Sequence, residues 1–115
     1  MANPNVLKMA RELKKASTAH NAPIWAKLAE YALKPSSARR NINVKRIGQI
    51  TKPGDVVVFP GKVLGTGSMP HDITLYSFAI SARAIAKINE SGGRVVTHTS
   101  IIQDNPTGRG VLLLG

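Results

Sequence analysis

Gly61, Lys62, Gly65 and Gly67 place three glycines and one cation in seven residues, within the stretch VVVFPGKVLGTG at Val56–Gly67. Glycine has no Cβ, so another backbone can come close to it, at an entropic cost when the chain folds. Two chemistries suit the pattern. In one, backbone N–H groups bond the oxygens of a phosphate and Lys62 neutralises its charge. In the other, the glycines serve a bulge and a turn inside a sheet. The residues leave both open for Gly65. Gly67, between the polar Thr66 and Ser68, is expected on the ligand side.

Other chemistry finds little support. A nucleotide-phosphate loop needs a glycine five positions before the Gly-Lys pair and Ser or Thr after it, but Val56 and Val63 stand there. The dinucleotide pattern has Gly65 and Gly67, then Pro70 in its third place, with no helix following to hold a pyrophosphate. His20, His71 and His98 are far apart with no H-x-x-x-H spacing, and the chain has no cysteine. Metal ligation and thiol chemistry are therefore not expected. His71 and Asp72 are adjacent, so on a strand they point to opposite faces. Six acids are too few and too scattered to suggest a catalytic carboxylate pair. The expectation is a protein with no catalysis, no cofactor and no small-molecule substrate.

Charge is the strongest signal. The chain has 115 residues, enough for one domain, and a formal net charge of +10. Residues 1–52 carry Lys8, Arg11, Lys14, Lys15, Lys27, Lys34, Arg39, Arg40, Lys45, Arg46 and Lys52 against only Glu12 and Glu30. Residues 53–115 are nearly balanced. Such a field implies a polyanionic partner. A division follows: a basic helical and loop part at 1–52 and a compact α/β core at 53–115. No apolar stretch approaches the 18 residues of a membrane span, and the first residues lack the apolar run of a signal peptide, so a cytoplasmic protein is expected.

The elements that must position these residues are legible in part. Asn3-Pro4 reads as a helix start, with Val6, Met9, Ala10 and Leu13 on one stripe and Lys8, Arg11 and Lys15 on the other, to about His20. Pro23 opens a second helix whose buried side is Ile24, Trp25, Leu28, Ala29 and Ala32, and Lys34-Pro35 closes it. Pro35, Ser36 and Ser37 read as a loop. Ile42 and Val44 alternate like a short strand, Lys45 to Ile50 reads as one or two helical turns, and Lys52–Asp55 is a turn. Val56–Phe59 and Lys62–Leu64 read as two strands around a Pro60-Gly61 break. DITLYSFAIS reads as a strand buried on both faces. Ser81 caps a helix that Gly92-Gly93 ends; RVVTHT is a short strand, SIIQDNPTG a helical turn and GVLLLG a last strand.

Val56–Gly67 also resembles the signature of the archaeal and eukaryotic large-subunit ribosomal protein eighteen family (eighteen-e type, related to bacterial large-subunit ribosomal protein fifteen). The resemblance takes in both N-terminal helices with Trp25, Lys34-Pro35, ARRNINVKRI at Ala38–Ile47, the ITLYSFAIS strand, the helix at 82–89 and GGRVV at Gly92–Val96. At 115 residues the chain resembles the short archaeal form. The resemblance implies a small, irregular α/β fold of β-β-α turns, superhelical in path, behind two basic helices. It implies a structural role in the large subunit, with large-subunit ribosomal RNA and neighbouring ribosomal proteins as partners. Its RNA contacts would fall on Lys34, Arg39, Arg40, Asn43, Arg46, Gly61, Lys62, Gly65 and Gly67; the charge pattern adds Lys8, Arg11, Lys15 and Lys45. The sequence departs from the family at Phe59, where an aliphatic residue is usual, and at Met69–Asp72, which weakens the case for RNA contact there. The alternative is a DNA-binding protein using the first two helices as a helix-turn-helix. Its recognition helix would expose only Lys27, Glu30 and Lys34, with no Arg, Asn or Gln to read base edges.

Overall fold

The first helix, α1 (Pro4–His20), ends in a motif that one residue makes possible. Asn21 takes φ +51°, the left-handed conformation that Asn tolerates better than most residues, and Ala22 N–H then bonds back to Ser17 O at 3.0 Å. The chain reverses and Pro23 starts α2 (Pro23–Leu33) at the position where its missing N–H costs nothing. The computed structural model describes residues 4–34 and 40–114. Asn3, the loop expected at 35–37 and Arg39 lie outside them.

The described chain forms two compact units. The first packs α1 and α2 with a later helix, α5 (His98–Asp104), which Thr97 caps by accepting the Ser100 N–H. Ala10, Leu13, Ala16, Trp25, Leu28, Ala29, Ala32 and Ile101 are buried in it. Ile24, expected on the same side, is only half-buried. Trp25 is wholly buried and its ring N–H donates to Pro106 O. The helical spacing of Trp25 with Leu28 and Ala32 thus marks core.

The second unit is a parallel sheet with two helices. Its elements are β1 (Arg40–Asn43), α3 (Val44–Ile50), β2 (Asp55–Leu64), β3 (Ile73–Ile80), α4 (Ala82–Glu90), β4 (Arg94–Val95) and β5 (Val111–Leu113). Each recorded strand pair is parallel, in the order β1-β2-β3-β4. β1 also pairs along Gly61–Leu64 of β2, while β5 pairs along Val56–Val58, so β2 receives two partners end to end besides β3. Val44, Ile47, Val57, Phe59, Val63, Ile73, Leu75, Ala84 and Ile88 form the core. The mixture of helices and sheet is the α/β class expected.

Several local readings need correction. Pro60-Gly61 does not divide two strands. β2 runs through it, and the register against β3 shifts between Phe59 and Lys62. A proline lacks an N–H, so it sits where the ladder is already interrupted. Val44 is no strand residue but the first of α3, because Asn43 accepts the Arg46 N–H and starts a helix there. β3 is buried on both faces only over its first half, Leu75 and Tyr76 being buried and Ala79 exposed. The RVVTHT strand is two residues long, and His98 already belongs to α5. Residues 40–52, read with the basic helices, enter the sheet unit, and α5 joins the helices.

The link between β2 and β3 is the feature that shapes the site. Parallel neighbours usually need a crossover of about a dozen residues or more. Here residues 65–72 must carry the chain from Leu64 back to Ile73, which pairs with Asp55 at the far end of β2. That return is about 30 Å at roughly 3.3 Å per strand residue. Nine Cα–Cα steps, fully extended, reach only about 30–32 Å. The segment is therefore a short strap without a helix, bent at Gly67 and His71.

Candidate nucleic-acid interface

The strap is fastened along its length to α3, α4 and the turn before β2. Lys45 N–H donates to Thr66 O at 3.3 Å. Lys87 Nζ donates to Gly65 O at 2.6 Å and also to Gly67 O. Pro70 packs on Gly48, leaving no space there for a Cβ, and Met69 packs on the core. Thr51 Oγ1 donates its one proton to Ile47 O at 2.7 Å, so at 2.8 Å from His71 it accepts, and His71 carries its proton on Nε2. Gly54 N–H closes the far end on Asp72 O.

This arrangement gives the glycines of the signature internal reasons. A Cβ on Gly61 would run into Arg40 O across the β1–β2 pair and stand 2.8 Å from the Phe59 ring. One on Gly65 would stand 2.5 Å from Arg83 Cγ and 2.8 Å from Ala84 N. Gly67 has φ +85° and lies under the stem of Lys45. So Gly67, expected on the ligand side, is required by its backbone conformation and by Lys45.

The cations sit in two patches, one on each unit. On α1, Lys8, Arg11 and Lys15 are exposed and fall on one face by their spacing. Glu12 lies among them. Its carboxylate is 2.5 Å from His98 Nε2 on α5, and that hydrogen bond, with the charges of His98 and Lys8, holds its pKa below the ordinary value. Lys34, just past α2, holds its ammonium 4.6 Å from the centre of the Tyr31 ring. On the sheet unit, Arg40, Lys45, Arg46 and Lys62 are exposed. The register sets Arg40 beside Gly61 and Asn41 beside Lys62, so Arg40 and Lys62 are one position out of step and point to opposite faces of the sheet. Asn43 is half-buried and occupied as the cap of α3.

Two residues of the site were not singled out from the sequence. Arg83 and Lys87, one turn apart on α4, flank the strap, Arg83 against Gly65 and Lys87 on its carbonyls. Their i, i+4 spacing was visible, but only the β2–β3 return brings the glycines to them. Among the described residues, no group of three His, Cys, Asp or Glu side chains could hold a metal ion, and no helix is long and apolar enough to cross a membrane.

Residues 23–96 match a ribosomal-protein family model that groups the 50S proteins L15 and L18e with a 60S-subunit relative. The chain is 35% identical over 113 residues to the large ribosomal subunit protein eL18 of Archaeoglobus fulgidus, covering 98% of this chain and 97% of that one. It is 38% identical over 112 residues to the eL18 of Pyrobaculum aerophilum, with 97% and 92% covered, and 38% over 106 residues to that of Sulfurisphaera tokodaii, with 92% and 90% covered.

The chain belongs to this family of large-subunit ribosomal proteins.

The family match begins with α2 and closes after β4, so it holds the Gly-Lys strand, the strap and both helices that fasten it. The basic face of α1 lies before the match but inside the near full-length alignments with the archaeal relatives. Membership of a structural, non-enzymatic class agrees with the scarcity of candidate catalytic groups. It gives no support to the helix-turn-helix alternative, whose recognition helix would be the α2 that buries Trp25, Leu28, Ala29 and Ala32.

Proposed function

We propose that this protein is a structural constituent of the large subunit of the cytoplasmic ribosome that binds large-subunit rRNA through its basic N-terminal half and its Gly-Lys strand. The observation that carries the reading is the placement of the cations. Lys8, Arg11 and Lys15 on one unit, and Arg40, Lys45, Arg46 and Lys62 on the other, are exposed in a chain with a net charge of +10. Counterions leave RNA when cations meet its phosphates, and this release drives binding. Lys34 and Arg39 belong to the proposed contact set by their place in the basic segment. Asn43 serves it indirectly by starting α3, Gly61 by letting β1 pair closely at Arg40, and Gly65 and Gly67 by letting the strap lie between Lys45, Arg83 and Lys87. Neighbouring ribosomal proteins are the second class of partner.

The test is a filter-binding titration with large-subunit rRNA across salt. If about six phosphates are neutralised, log K falls against log salt with a slope of roughly −4 to −5. A slope near zero would refute RNA binding by this charge. Migration of the protein with the large-subunit peak of a lysate, and its release only by high salt, is the cellular counterpart.

A further inference from the structure

The carbonyls of Gly65 and Gly67 both face the Lys87 ammonium. A trans peptide holds its N–H antiparallel to its C=O, and no peptide bond in the described chain is cis. The N–H groups of Thr66 and Ser68 therefore point away from Lys87. Neither has a hydrogen-bonding partner among the described residues, and both residues are exposed. The carbonyl between them, that of Thr66, is already taken by Lys45 N–H. Lys45 lays its stem on Gly67 and is itself exposed.

The result is a short segment in which the carbonyls of Gly65, Thr66 and Gly67 are satisfied from within while the amides of Thr66 and Ser68 are left over. Two unpaired amides thus lie on exposed residues of the strap, beside the Lys45 stem on Gly67. That chemistry fits an anion with several oxygens. The Lys87 side is different, since the hollow there is lined by Glu90 as well as Lys87, Gly67 and Ser68, and a carboxylate opposes an anion.

We propose that residues 65–68 form a phosphate-binding subsite. The amides of Thr66 and Ser68 and the ammonium of Lys45 take a phosphodiester of the rRNA backbone, while Lys87, on the opposite side of the strap, is a positioning residue that touches no phosphate. The source of the phosphate rests on the rRNA reading above; the subsite itself does not.

Two experiments test this. In the first, Lys87→Met keeps the stem and removes the donor. Affinity for large-subunit rRNA should fall about tenfold through lost preorganisation, with the salt slope unchanged. Lys45→Met should flatten that slope by about 0.7–0.9, the share of one phosphate. Equal flattening by both variants would overturn the positioning role. In the second, the wild-type protein is titrated with inorganic phosphate and followed by amide proton–nitrogen spectra, which decides the matter even if Lys87→Met fails to fold. The Thr66 and Ser68 amides should move downfield and saturate. Amides that stay still at saturating phosphate would overturn the subsite. Wild-type protein showing no salt-dependent rRNA binding would remove the rRNA reading instead, and the phosphate titration would still stand by itself.

Discussion

Trp25 Nε1 donates to the backbone carbonyl of Pro106 at 2.8 Å, joining α2 to a turn 81 positions later in the chain. The ring is wholly buried and Pro106 half-buried, so the bond is partly shielded from water. Trp25→Phe keeps an aromatic ring but leaves the Pro106 carbonyl unsatisfied and a void where the indole was. It should lower stability by about 1–3 kcal/mol, measured by denaturant unfolding. The refolded variant should bind rRNA as the wild type does, because Trp25 is no stacking platform. A variant as stable as the wild type but weaker on RNA would show the opposite.

Gly67→Ala meets two obstacles, the left-handed backbone and the Lys45 stem. The expected cost is about 1–2 kcal/mol, seen as a melt several degrees lower. Gly110→Ala is the control. It has φ +80° but no atom within 4 Å of its Cβ position, so it should cost less. Equal losses would mean that Lys45 contributes nothing to the requirement at Gly67.

Arg46 and Lys62 are exposed cations on the sheet unit. Arg46→Ala with Lys62→Ala should leave the melting temperature nearly unchanged, since exposed charges contribute little to stability. The slope of log K against log salt for rRNA should flatten by about one to two units. An unchanged slope would exclude both residues from phosphate contact.

Glu12 supplies the pH dependence. Its carboxyl pKa is depressed in the folded state, first by the hydrogen bond to His98. A depressed carboxylate stabilises the fold above its unfolded pKa, and that contribution is lost as pH falls through the folded one. The stability gap between wild type and Glu12→Gln should therefore be present above the ordinary value of 4.5 and shrink below it. Unfolding curves at neutral and acid pH measure the gap. A gap that widens in acid would contradict the sign.

Local chemistry in the sequence was sufficient where an element is set by its own residues. Pro23 begins α2, Ser81 accepts the Ala84 N–H at the start of α4, and Gly92 with φ +87° follows its end. The charge pattern on α1 was equally plain. What could not be read depends on residues distant in sequence. Pro60-Gly61 looks like a strand break until β1 pairs with Gly61 and β3 takes up the shifted register. That the amide oxygen of Asn43 starts α3 by accepting the Arg46 N–H was not legible from its place in the basic segment. Lys87 was one cation on a helix face, and nothing near it in sequence announces two carbonyls from residues 65 and 67. The glycine motif itself was found, but its physical reason needed Arg40, Arg83 and Lys45, which come from three other elements.

The short return at 65–72 also governs which length variants the fold can accept. Eight residues held in turn by Lys45, Lys87, Gly48 and Thr51 cannot lose one without breaking those contacts or moving the strand that starts opposite Asp55. Deleting Ser68 would pull Ile73 out of step with Asp55, and a one-position slip sends every side chain of a strand to the other face. An added residue would only bow outward as slack. Natural variation in this family should therefore be one-sided at this place, with insertions admitted between Gly67 and Pro70 and deletions absent.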